Sequence, residues 1–152
     1  RLPPLPALRD FIHLYNLRAK KILSQNFLMD MNLTRKIVRA AGVLEGDCVC
    51  EVGPGPGGIT RAILGAGAAR VDVIEIDHRF IPALQHLSEA SEGRLRVHRA
   101  DVLKQCVGAL WRTKGDAEVT PAPTEWLDDP PAAHIIGNLP FNIASPLIIK
   151  WV

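Results

Sequence analysis

Cys48-Val-Cys-Glu-Val-Gly-Pro-Gly-Pro-Gly-Gly-Ile-Thr-Arg-Ala-Ile-Leu64 decides the fold. Its first five residues are a short apolar run of strand length, and Ile59–Leu64 reads as the apolar start of a helix. Between them, Gly53, Gly55 and Gly58 satisfy GxGxxG, a tight turn whose bare backbone lets a ligand approach a helix N-terminus. An ordinary strand-to-helix turn is the plainer reading. Four glycines and two prolines in six residues are too costly in backbone entropy and too constrained for a routine connection. A second strand, Val71–Ile76, carries Glu75 22 residues after Gly53, where a carboxylate can accept both hydroxyl hydrogens of a ribose. An adenosine-containing cofactor follows. Glu51 favours S-adenosylmethionine, whose ammonium and sulfonium are cationic, over a dinucleotide whose diphosphate an acid would repel.

Downstream, short apolar runs continue to alternate with helical ones: Phe80–Leu87, Leu95–His98, Ala133–Gly137 and Ala144–Val152. The rhythm predicts an α/β fold, an open, mostly parallel sheet of at least four strands with helices on both faces. Residues 112–132, rich in Pro, Asp and Thr, read as a surface excursion. Upstream, Leu8, Phe11, Ile12 and Tyr15 recur at helical spacing behind Pro6. A second helix is expected from about Leu33 to Ala41, capped by Asp30 or Asn32 and closed by Gly42. Residues 1–44 thus form a basic helical extension packing on a cofactor-binding domain, 45–152, that holds the first four strands of a longer sheet. Starting at Arg1 and ending on an apolar run, the chain reads as a fragment cut at both ends.

The 152 residues are 47% hydrophobic and 22% charged, enough to bury one core. No apolar run approaches the ~20 residues of a membrane span, so a soluble protein is expected. Cys48, Cys50 and Cys106 lack the paired spacing of a zinc site, and no metal is implied. Alternating along a strand, Cys48 and Cys50 read more simply as small buried hydrophobes than as ligands. Residues 1–41 carry eight Lys/Arg against two Asp/Glu, while the remainder carries ten against fourteen. The basic surface is therefore N-terminal. It suits a polyanion, although a solvated helix face would look the same.

Gly137-Asn-Leu-Pro-Phe141 follows the fourth strand. The side-chain oxygen of Asn138 and the carbonyl of Leu139 can each accept a hydrogen bond from an exocyclic adenine amine, drawing it toward a tetrahedral nucleophile. Pro140 biases Leu139 toward an extended backbone, and Phe141 offers a face for an unstacked base. As a plain loop, Asn138 would make a turn and Phe141 plug the core. The carboxyl end of a strand beside the glycine loop, where open α/β sheets bind ligands, favours the functional reading. Asp101 and Val102 add an acceptor and an apolar edge for adenine at the end of the third strand. The plainer alternative, a helix cap and a core residue, is the weaker reading.

Ser24-Gln-Asn-Phe-Leu28, Glu51–Gly57, Glu75, Asp101-Val102 and Asn138–Phe141, in this order and spacing, resemble the ribosomal RNA adenine dimethyltransferases from about residue 18 to the end. Leu17–Leu28 and His134–Phe141 look most like the mitochondrial branch. The resemblance implies a Rossmann-like class I methyltransferase fold and S-adenosylmethionine contacts from Gln25, Asn26, Leu28, Gly53, Gly55, Glu75, Ile76, Asp101, Val102 and Asn138. It implies catalysis by Asn138, Leu139, Pro140 and Phe141. Two adjacent adenosines in a hairpin near the 3′ end of small-subunit rRNA, or of the assembling subunit, would be dimethylated in the mitochondrial matrix by a full-length monomer. The family continues past position 152 with further strands and a small helical domain. Two rivals are a nucleic-acid-binding transcription factor with a vestigial pocket, against which the intact Asn138 tetrad speaks, and a nicotinamide-dependent oxidoreductase built on the same glycines and Glu75.

Overall fold

In the computed structural model, which describes residues 2–18, 28–104 and 133–139, strands and helices alternate from Cys48 onward. The elements are α1 (Leu8–Leu14), α2 (Met31–Ala40), β1 (Cys48–Val52), α3 (Gly58–Gly65), β2 (Arg70–Glu75), a 3₁₀ turn (His78–Phe80), α4 (Ile81–Ala90), β3 (Leu95–Arg99) and β4 (Ala133–Gly137). The sheet order is β3-β2-β1-β4 and all three pairings are parallel. All carboxyl ends therefore share one rim. From β1 the chain steps outward to β2 and β3, whereas β4 lies on the opposite flank of β1. The order reverses between β1 and β4, where sheets of this kind open a crevice for ligands.

Burial explains the near-continuous apolar character of the inner strands. On one face Val49, Val71, Val73 and Leu95 pack with Ile63 and Leu64 of α3 and with Phe80, Leu84 and Leu87. Phe11 of α1 and Val38 of α2 join that cluster. The other face carries a smaller group, Cys50, Val52, Ile74 and Val102, with Ala100 and Leu139 against it. The described helices thus serve one face. The helix expected at 144–152, the excursion at 112–132 and Cys106 lie outside the described residues. Cys50 is fully buried as a small hydrophobe, its thiol pushed up to about 12 by burial and by the nearby carboxylates of Asp72 and Glu51. Cys48 is half-buried, and neither is in a disulfide.

Local chemistry sets the boundaries. Asp30 caps α2: its Oδ1 accepts from the N–H groups of Asn32 and Leu33 at 2.8 and 3.3 Å, so the helix begins two residues before Leu33. Strand β2 ends at Glu75, one residue short of expectation, because Asp77 caps the 3₁₀ turn that follows. The N-terminal extension docks on the helices. Tyr15 Oη lies 2.9 Å from His86 Nδ1 of α4, and the Phe11 and His86 rings stand 4.8 Å apart. Arg61 of α3 is buried beneath the extension, donating to the Pro6 carbonyl with its guanidinium 4.7 Å from the Phe11 ring centre. Burial lowers its pKa to about 10.

Candidate active site

At the rim, Gly53 and Gly55 adopt left-handed φ angles of 65° and 54°, which cost a side-chain-bearing residue roughly 1 kcal/mol or more. The Gly53 N–H donates to the Ile74 carbonyl at 2.9 Å and stitches the loop to β2. A Cβ added at Gly55 would meet nothing within 4 Å, so the loop is open on that side. Gly58 is needed for another reason: a Cβ there would lie 2.4 Å from the Leu28 carbonyl oxygen. That close approach holds Leu28 against the N-terminus of α3.

Glu75 ends β2 beside this loop, only 6% exposed. Its Oε2 accepts from the Gly55 N–H and its Oε1 from the Asp77 N–H, each at 3.0 Å. Burial raises its pKa and the two N–H groups oppose that rise. Each carboxylate oxygen can accept a further hydrogen bond, and two such acceptors match the two hydroxyls of a ribose. Ile76, next in the chain, is 61% exposed and offers an apolar ledge. This donor and acceptor set fits an adenosine cofactor.

The register levels three strand ends. Val52 pairs with Ile74 on one side and Gly137 on the other, so Glu75, Gly53 and Asn138 follow at one height. Two interstrand spacings separate Glu75 from Asn138, about 10 Å, the scale of a nucleoside with its 5′ substituent. Asn138 is exposed, whereas Leu139 is half-buried, with its Cδ2 3.8 Å from where a Cβ on Gly53 would stand. Pro140, Phe141, Gln25 and Asn26 lie outside the described residues.

The remaining expected residues make intramolecular contacts. Asp101 Oδ1 accepts from the Leu103 N–H at 3.0 Å, capping the short turn that follows β3. Val102 is buried in the cluster on the second face. Glu51 requires a correction. It is 2% exposed, accepts from Thr60 Oγ1 at 2.5 Å, and has its pKa raised to about 8, chiefly by burial. Burial favours its neutral form and Thr60 holds it against α3, so it is an interior acid and not an exposed charge at the rim. Sequence reasoning missed Asp77 and Arg79, whose acid-x-basic spacing just after the strand was the available signal.

Residues 16–152 match the family model described as ribosomal RNA adenine dimethylase. The chain belongs to that family. It is 63% identical over its full length to a mitochondrial dimethyladenosine transferase 1 from Caenorhabditis elegans and 56% identical to the Homo sapiens protein of the same name. It spans 41% and 42% of those relatives. A dimethyladenosine transferase structure from Plasmodium falciparum superposes with a TM-score of 0.59 at 28% identity, covering 82% of this chain and 38% of that one. Membership in the adenine dimethylase family leaves the nicotinamide reading without support. Among the described residues, no helix is long and apolar enough to cross a membrane.

Proposed function

We propose that the whole protein uses S-adenosylmethionine to dimethylate N6 of two adjacent adenosines in a hairpin near the 3′ end of small-subunit rRNA. The work would be done in the mitochondrial matrix during small-subunit maturation, by a monomer. The observation that carries this reading is the levelling of Glu75, Gly53 and Asn138 across the switch point of an adenine dimethylase sheet. Relatives named as mitochondrial dimethyladenosine transferases support the substrate class and the organelle.

When bound, S-adenosylmethionine supplies an electrophilic methyl group. Glu75 accepts from the ribose hydroxyls, Ile76 and Val102 flank the adenine with Asp101 as an acceptor at its edge, and Gly53 and Gly55 let the ligand approach the loop. Gln25, Asn26 and Leu28 are assigned further contacts with the cofactor on the family pattern. At the other end the Asn138 side-chain oxygen and Leu139 carbonyl accept from the target amine, favouring its tetrahedral, positively charged form. Pro140 orients the Leu139 carbonyl and Phe141 stacks on the extruded base. The amine can lose its proton to water after charge has formed, so no general base is assigned.

The test is incubation of the full-length protein with radiolabelled S-adenosylmethionine and unmodified small-subunit rRNA, followed by mapping of the label. Label on N6 of two neighbouring adenosines is expected. Label elsewhere, or none, refutes the reading.

A further inference from the structure

Two carboxylates, Glu75 and Asp77, stand two residues apart at the rim, and their mutual repulsion is unfavourable unless compensated. Arg79 supplies the compensation. Its Nε lies 3.1 Å from both Asp77 carboxylate oxygens and its Nη2 lies 2.7 Å from Oδ2. The Arg79 backbone N–H donates to Asp77 Oδ1 at 3.0 Å, so the same acid caps the turn and receives the guanidinium fork. Nη1 reaches across to the Arg18 carbonyl at 2.9 Å, tying the turn to the segment that follows α1. The Asp77 peptide held in this way donates to Glu75 Oε1.

We infer that Arg79 is a positioning residue: by fixing Asp77 against the Arg18 carbonyl, it sets the orientation in which the Glu75 carboxylate meets the ribose. The chain of contacts runs Arg18 carbonyl, Arg79 fork, Asp77 carboxylate and peptide, Glu75, Gly55 N–H. Gly55 holds one oxygen of Glu75 and Asp77 the other, so rotation of the carboxylate requires one of those bonds to break. Without the fork, the Asp77 carboxylate loses the Arg79 guanidinium and the peptide that restrains Glu75 is less firmly held. The inference rests on the reading of Glu75 as the ribose acceptor.

The experiment is calorimetric titration of the full-length protein with S-adenosylhomocysteine and with its 2′-deoxyribose analogue. The ratio of the two affinities reports the ribose contact alone. Wild type is expected to favour the ribose form by about tenfold or more, the effect of one hydrogen bond to a charged group. Arg79→Ala is expected to bring the ratio to within about threefold of unity, and Arg79→Lys, which keeps the charge but loses the fork, to an intermediate value. A merely structural role would weaken both ligands alike, so an unchanged ratio in Arg79→Ala overturns the inference. Asp77→Asn keeps the turn cap and removes the charge; it is expected to lower the ratio even if Arg79→Ala does not fold, and an unchanged ratio there overturns the inference too. Glu75→Ala separates the two failures. If its ratio equals that of wild type, the ribose reading itself has failed.

Discussion

Glu51 and Glu75 are the same residue type on neighbouring strands, yet their surroundings differ completely. Glu51 pairs in register with Val73, two residues and about 7 Å below the level of Glu75. At that depth α3 covers it, Thr60 is its partner, and burial favours its protonated form. Two residues higher the strand ends, and Glu75 meets two backbone N–H groups beside the glycine loop. Depth below the rim separates an acid enclosed against a helix from one that faces the loop at the strand ends. The substitutions below test that division.

The largest effect is expected from pH. Glu51 has an unfolded value of 4.5 and a folded value of about 8, so between those limits the folded state holds the extra proton. Its stabilising contribution is complete below pH 4.5 and lost as pH rises through 8, on the order of 5 kcal/mol at most. Thermal melts from pH 5 to 9 should show this slope, and Glu51→Gln should flatten it. Equal slopes in both proteins would erase the distinction between the two acids.

Next is the far side of the rim. Asn138→Ala should reduce the single-turnover rate, with both substrates saturating, by roughly 10²–10³, while leaving the melting curve nearly unchanged. A rate within about threefold of wild type would make Asn138 a positioning or structural residue. For the acid two strands away, Glu75→Ala should weaken S-adenosylmethionine binding by about 1–3 kcal/mol without unfolding the domain. Unchanged affinity by calorimetry would place Glu75 with Glu51, as a structural acid. Smallest is Gly55→Ala, which should cost roughly 1 kcal/mol of stability for the left-handed φ. Chemical denaturation measures it, and no cost would mean the loop relaxes to another turn.

What the sequence made legible is what short-range patterning controls. The runs Cys48–Val52 and Ala133–Gly137 are strands with the expected limits, and the glycine spacing located the loop between β1 and α3. Asp30 was readable as a cap because capping is settled within three residues. Ile76 misled, since an apolar residue extending a strand-like run is indistinguishable from a ledge beside the sheet. The interior place of Glu51 was not readable, because its partner Thr60 lies nine residues on and its burial is set by how α3 packs. The link from Arg79 to the Arg18 carbonyl spans 61 positions, beyond any local pattern.

The pairing of β1 with β4 also has a consequence for the order of events during synthesis. Its partners, Cys48 with Ala133 among them, lie roughly 85 residues apart, whereas β1, β2 and β3 are close neighbours in sequence. At about 5–20 residues per second, several seconds separate the emergence of β1 from that of β4. The glycine loop and Glu75 can therefore be in place before Asn138 has been synthesised. On the proposed function, a nascent chain at that stage would have a place for the cofactor's nucleoside and nothing with which to hold a target adenine.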